Sequence, residues 1–215
     1  MAFTVLVIYV ASILVRIFFF DIFIVEGNSM LPTLRSGNPV CVNKTIIGAR
    51  IYIPNNLKKH EYLYFRTRGQ RNLEPGDSIA IKNGYYVNTN HMFTGIPETA
   101  QKSLSCIDKT VLTDTGDIFL EYCIDPRWDI KDFGPIYIPG RGDTITLSLD
   151  NLNIYKTIIE YETGDCPNIE DTGRTHIFNK DYYFFAGDNV FMSKDSRHFG
   201  LVPKDFIVGV VLKKT

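Results

Sequence analysis

The first 25 residues constrain this chain more than any other stretch. Of these, 21 belong to the set Ala, Val, Ile, Leu, Met, Phe, Trp, Tyr and Cys, and between Ala2 and Val25 the only charges are Arg16 and Asp21. At about 1.5 Å rise per residue, a helix of that length reaches across a hydrocarbon core of about 30 Å. A secretory signal peptide would open on a basic segment and close on a small-residue cleavage site; neither flanks this run, which therefore reads as an uncleaved anchor. Arg16 divides the run, leaving a strictly apolar span of only about 15 residues before it, so its side chain must snorkel or mark the interface. The aromatic and β-branched stretch from Ile17 to Val25 is suited to continue as an interfacial strand. The expectation is one N-terminal transmembrane helix with an interfacial segment over residues 1–25, and a lipid bilayer as partner.

Outside this run the apolar content falls to roughly 40%, an ordinary globular value. Lys and Arg total 23 against 24 Asp and Glu, a net charge of −1. That balance argues against nucleic acid as a partner. The cysteines are Cys41, Cys106, Cys123 and Cys166. They form no C-x-x-C pair and have no histidine at zinc-ligand spacing, so neither a metal nor a cofactor is expected. Cys106 and Cys123 sit at hairpin distance, but their pairing stays open.

Short runs rich in Ile, Val, Tyr and Phe, each bounded by Gly, Pro, Asn or Asp, predict a mainly β protein. They are Pro39 to Val42, Ile51 to Ile53, Tyr62 to Phe65, Ser78 to Ile81, Tyr85 to Val87, Lys109 to Leu112, Ile118 to Tyr122, Ile136 to Ile138, Thr144 to Leu147, Tyr182 to Phe185 and Phe206 to Leu212. A helix is predicted from Asp150, as N-cap, to Thr163, ending at Gly164. A concentration of Pro and Gly around the single Trp128 marks the entry to an inserted subdomain. The predicted division is 1–25 as anchor, 26–124 with 181–215 as a catalytic β domain, and 125–180 as a smaller inserted β-rich subdomain.

Two polar stretches stand out as carriers of chemistry. VEGNSMLPTLRSGN begins at Val25 and holds Ser29 on constrained backbone between a Gly-Asn turn and a Met-Leu-Pro segment. That suits a nucleophile and equally an ordinary turn. FFAGDNVFMSKDSRHFGLVP begins at Phe184 and crowds Asp188, Ser193, Asp195, Ser196 and Arg197 beside an apolar strand. Such crowding implies an arginine–carboxylate arrangement that positions something, or a solvated loop with a surface ion pair.

Together these stretches resemble the type I signal peptidases, membrane-anchored Ser-Lys serine peptidases. The resemblance rests on the N-terminal run, an S-M-x-P-T-L box at Ser29, the G-D-S-I-A-I strand at Gly76 to Ile81, and the G-D-N…S-x-D-S-R-x-F-G-x-V-P box from Gly187 to Pro203. It implies a signal-peptidase-like β catalytic domain and cleavage of signal peptides from exported preproteins after small residues, at A-x-A sites. It further implies a monomer in a bacterial cytoplasmic membrane, single-pass, with the catalytic domain on the outer face.

Residue by residue, the resemblance makes Ser29 the nucleophile. A serine hydroxyl needs a base within hydrogen-bond reach, and a lysine serves if burial lowers its pKa toward 7. The family's lysine starts K-R-x-x-G-x-P-G-D, and KTVLTDTGD repeats that interval with Lys109 and Asp117. It departs from the pattern at Thr110, Thr113 and Thr115, and Lys82 and Lys102 are the fallback bases. Ser193 aligns with the hydroxyl that orients the lysine, and Asp195 and Arg197 with an ion pair behind the site. Gly27 stands where some members carry an oxyanion hydroxyl, leaving the Ser29 amide as donor, and Met30 is placed to line the substrate pocket.

Other readings compete. A histidine triad has four candidates, His60, His91, His176 and His198, of which only His198 lies in a motif, beside an opposing Arg197. The tripeptides at Asp114 and Asp171 resemble aspartic-protease motifs but follow no apolar strand and read as turns. An inactive or specialised relative of the peptidases, or a membrane-anchored binding module using Trp128 to Phe133, would carry the same anchor.

Overall fold

A computed structural model describes residues 1–54, 62–69, 75–88, 124–125 and 127–212. Two compact units divide the chain: residues 1–26, 36–73 and 207–215 form one, and residues 27–35 and 74–206 the other.

In the first unit, α1 (Ala2–Phe18) is a 17-residue helix with no buried residue. At about 1.5 Å per residue this falls short of a 30 Å core. No helix among the described residues is long and apolar enough to cross a membrane. The expected transmembrane helix is thereby corrected, and the cause is local. The β-branched and aromatic residues that follow leave the helix and form β1 (Phe20–Ile24). β1 pairs antiparallel with β2 (Pro39–Asn43), Phe20 opposite Asn43 and Ile24 opposite Pro39. β3 (Arg50–Pro54) and β4 (Tyr62–Arg66) make a separate hairpin. Among the described residues of this unit, Val42, Ile47, Ala49 and Ile207 are the buried apolar ones, and the Arg66 guanidinium donates to the carbonyls of Gly48 and Ile207, both at 2.7 Å.

The second unit holds the larger core. β5 (Ser78–Lys82) runs between β6 (Tyr85–Asn88) and β7 (Phe133–Tyr137), all antiparallel. β8 (Thr144–Thr146) leads into α2 (Leu152–Thr163), which buries Leu152, Ile154, Tyr155, Ile158 and Ile159 on one face. Its N-cap is Asn151, one residue later than expected; Asp150 accepts from Arg127 at 2.8 Å. It ends at Gly164 in the left-handed conformation, φ 83°. β9 (Thr175–Ile177) pairs with β8, and β10 (Tyr182–Tyr183) with β11 (Val202–Pro203). Between those last two lies α3 (Ser196–Phe199), a single turn.

A continuous core cluster joins Ile79 and Ile81 to Phe133, Ile136, Ile158, Phe178, Tyr182 and Leu201. Residues 125–180, expected as an inserted subdomain, thus contribute to the same core as the strands on either side of them.

Most predicted strands on described residues appear, with three adjustments. The run from Tyr182 to Phe185 is cut to two paired residues; Phe185 instead donates its N–H to Ser196 Oγ and accepts from the Ser196 N–H, both at 3.0 Å. The run from Phe206 to Leu212 is broken by a 3₁₀ turn at Lys204–Phe206, and only β12 (Val210–Val211) pairs, with β2. β7 starts at Phe133, three residues before the predicted Ile136. The predicted strands at Lys109 and Ile118, with Cys106 and Cys123, lie outside the described residues.

Candidate active site

The candidate site belongs wholly to the second unit and begins with the loop Gly27–Arg35. Gly27 has φ +78°, a left-handed conformation that costs a side-chain-bearing residue but not glycine. The chain then folds tightly: Leu31 N–H donates to Asn28 at 3.2 Å and Leu34 N–H to Met30 at 2.7 Å, with a cis bond at Leu31–Pro32. Ser29 and Met30 are half-buried on this turn.

The second polar stretch fastens it. Asn189 N–H donates to the Ser29 carbonyl at 2.8 Å, and Asn189 Nδ2 to the Asn28 carbonyl at 3.1 Å. Gly187 lies so close that an added Cβ would stand 2.7 Å from Ser29 O and 2.3 Å from Ser193 Oγ. Only a residue without a side chain fits there. Gly187 thus brings the backbone of Ser29 and the hydroxyl of Ser193 to one point. Asn189 was not singled out in the sequence, although the G-D-N triplet contains it.

Behind Gly187 sits a buried ionic network. Asp195 Oδ2 accepts from Gly187 N–H at 2.9 Å, from Ser193 Oγ at 2.6 Å and from Arg197 Nη2. Its Oδ1 accepts from Arg197 Nε at 2.8 Å and from Arg197 N–H at 3.2 Å, which caps α3. This is the bidentate fork that suits guanidinium and carboxylate. Arg197 and Asp195 are 1% and 6% exposed, so the alternative of a solvated surface pair is removed. Burial alone would raise the Asp195 pKa; His198, Arg197 and Ser193 around it overcome that and hold the carboxyl well below the usual range. Tyr86 is pushed up, first by burial and then by the charges of Asp195 and Asp188, against the opposing pull of Arg197.

The remaining candidates fall as follows. Lys109 and the fallback Lys102 lie outside the described residues. Lys82 is exposed and lines a different cleft of about 800 Å³ with Trp128, Tyr137 and Tyr155. His198 Nδ1 accepts from the Asp195 amide at 3.1 Å, a structural role rather than one in a triad. His176 is bound to Glu162 at 3.0 Å. Asp171 closes a capping box in a 3₁₀ turn and pairs with Arg174, as the turn reading predicts.

Comparison with known proteins adds the family. Residues 1–213 match the family model described as signal peptidase, peptidase S26. Signal peptidase I of Bacillus caldolyticus is 30% identical over 91% of this chain and 79% of its own length. Signal peptidase I P of Bacillus subtilis subsp. natto is 28% identical over 93% and 78%. Signal peptidase IB of Staphylococcus aureus strain Mu50 is 27% identical over 87% and 73%.

Proposed function

Because the chain belongs to the signal peptidase family, peptidase S26, and is a serine peptidase, we propose that it removes signal peptides from exported preproteins with Ser29 as nucleophile and Lys109 as general base. The observation that carries this reading is the meeting of Ser29 O and Ser193 Oγ at Gly187, which fixes the Ser29 turn against a buried, charge-locked frame. Catalytic geometry needs such fixing, since small displacements of a nucleophile cost large factors in rate.

In this mechanism neutral Lys109 takes the Ser29 proton as Oγ attacks the scissile carbonyl, then returns it to the leaving amine. The Ser29 amide stabilises the oxyanion, because Gly27 offers no hydroxyl. Ser193 orients the lysine, Asp195 and Arg197 brace Ser193, and Met30 lines a shallow pocket for the small residues before the cut. The exposed apolar surface of α1 and β1, including Leu6, Ile8, Ile22 and Ile24, seats the chain in a bacterial cytoplasmic membrane with the catalytic unit on its outer face. Only three residues separate Val25 from Ser29, so the apolar segment and the nucleophile are short neighbours in the chain.

The test is cleavage of a preprotein carrying an A-x-A site. Ser29→Ala and Lys109→Ala should each lower the rate by at least about 10⁴-fold while leaving the thermal midpoint near that of wild type. The wild-type rate should climb between about pH 6 and pH 10 as the lysine loses its proton. Cleavage that survives both substitutions, or a flat pH profile, would overturn the reading.

A further inference from the structure

At the C-terminal end of α1 the first unit contains a cavity of about 460 Å³, lined by Ile13, Arg16 and Ile17 from the helix and by Asp21, Lys44, Arg50 and Ile51. Ile13, Arg16 and Ile17 stand at i, i+3 and i+4, hence on one helical face. Arg16 Nε and Nη2 both donate to Asp21 Oδ1, at 3.2 and 3.1 Å. Lys44 Nζ donates to Asp21 Oδ2 at 3.1 Å and to the Arg16 carbonyl at 2.8 Å.

Two cations therefore share one carboxylate, leaving a surplus positive charge. A guanidinium has five N–H donors and an ammonium three. Among the described residues, Arg16 Nη1 and one hydrogen each on Arg16 Nη2 and Lys44 Nζ stay uncommitted. Lys44 is only 12% exposed, so its charge is focused on the cavity and not spread through solvent. Above this polar floor, Ile13 and Ile17, each 38% exposed, continue the bare apolar face of α1.

We propose that this cavity binds the headgroup of an anionic phospholipid, its phosphate on Arg16 and Lys44 and its acyl chain along Ile13 and Ile17. The combination of spare donors, surplus positive charge and an adjoining apolar wall matches that amphiphile and not a free anion. Juxtamembrane cations attract anionic lipid by about fivefold each. The proposal rests on the reading of α1 as membrane-seated, and the two are tested separately.

Flotation of the full chain with phosphatidylcholine vesicles reports the anchor alone. For the pocket, the full chain is released from nanodiscs of equal phosphatidylglycerol and phosphatidylcholine, and retained lipid is counted by native mass spectrometry. Wild type should retain phosphatidylglycerol at least about fivefold over phosphatidylcholine, and Arg16→Gln and Lys44→Gln should each erase most of that preference. Asp21→Asn releases both cations and should retain more phosphatidylglycerol; a purely structural brace would lose stability and gain no lipid. Arg16 is 70% exposed, so its variant keeps the test valid if Lys44→Gln unfolds. Equal retention of the two lipids by wild type or an unchanged preference in Arg16→Gln would each overturn the proposal, and equal retention together with binding of inorganic phosphate would assign the cavity to a free anion instead. Loss of flotation with the preference intact would instead strike the membrane reading.

Discussion

Two of the carboxylates buried in the second unit, Asp195 and Glu162, sit in nearly the same physics. Asp195 is 6% exposed and accepts from Gly187, Ser193 and Arg197. The Glu162 side chain is fully buried and accepts from Tyr182 Oη at 2.8 Å, from the Asn179 amide at 3.0 Å and from His176 Nε2 at 3.0 Å. Both obey the rule that a buried charge must have its lone pairs satisfied. They differ in what they touch. The partners of Asp195 include Gly187, which abuts Ser29. The partners of Glu162 tie the end of α2 to β9 and to the start of β10. Burial of a charge therefore marks where the fold is specified; adjacency to the half-buried Ser29, the proposed nucleophile, marks where the proposed chemistry sits.

The largest way to break this contrast is Asp195→Ala. It leaves the Arg197 guanidinium 1% exposed and without its bidentate partner. Removing one member of a buried pair costs about 3–5 kcal/mol, and urea denaturation should show it. Preprotein cleavage should fall with it. The same pair sets a pH dependence with a definite sign. The Asp195 pKa is lower in the folded state than in the unfolded chain, so its stabilisation is present above the unfolded value of about 4 and is lost as pH falls further toward the folded one. Asp195→Asn should flatten that part of the acid limb. A wild-type acid limb reproduced in Asp195→Asn would show that the carboxylate contributes nothing there.

Next in size is Gly187→Ala. Its Cβ would stand 2.7 Å from a backbone oxygen of Ser29, and that oxygen is itself held by Asn189. The turn must shift by a few tenths of an ångström or more. A displacement on the order of 1 Å costs about 100-fold in rate, so kcat should drop toward that extent while overpacking costs about 1–3 kcal/mol of stability. A drop in stability alone, with kcat intact in the folded fraction, would mean that the Ser29 turn is not held to catalytic precision.

The sequence made the Asp195 side of the contrast legible and the Glu162 side invisible, for a physical reason. The Asp195 network is local: Gly187, Ser193, Arg197 and His198 all lie within eight residues of it, so polar crowding beside an apolar strand announced it. Glu162 reads as one more residue on a helix, because its partners are 14 to 20 positions away and meet it only after β8, β9 and α2 pack. Strands were legible where alternation and turn residues agreed, as in β2 to β6. The start of β10 at Tyr182 was legible in pattern, whereas its two-residue partner β11 was not and owes its pairing to that neighbour. The apolar run was legible in composition and misleading in length. The change of structure within it was legible too: Arg16 and the β-branched, aromatic stretch from Ile17 to Val25 pointed to a strand after the helix, and Phe20–Ile24 pairs with β2 just past the helix end at Phe18.

The smallest effect on chemistry, and the sharpest control, is Glu162→Gln. The amide keeps the shape but loses the charge that Tyr182, Asn179 and His176 are arranged to meet, which costs about 1–3 kcal/mol. Cleavage per folded molecule should stay within about twofold of wild type. Tyr182 gives an independent reading of the same network. Burial first, and then the hydrogen bond and charge of Glu162, raise its pKa, so its contribution to stability is complete below the unfolded value of about 10 and fades above it. Tyr182→Phe should therefore soften the alkaline loss of stability without touching cleavage at neutral pH. If either substitution lowered kcat as strongly as Gly187→Ala, the two networks would be coupled through the core formed by Ile158, Phe178 and Tyr182, and the site would extend well beyond the residues that touch Ser29.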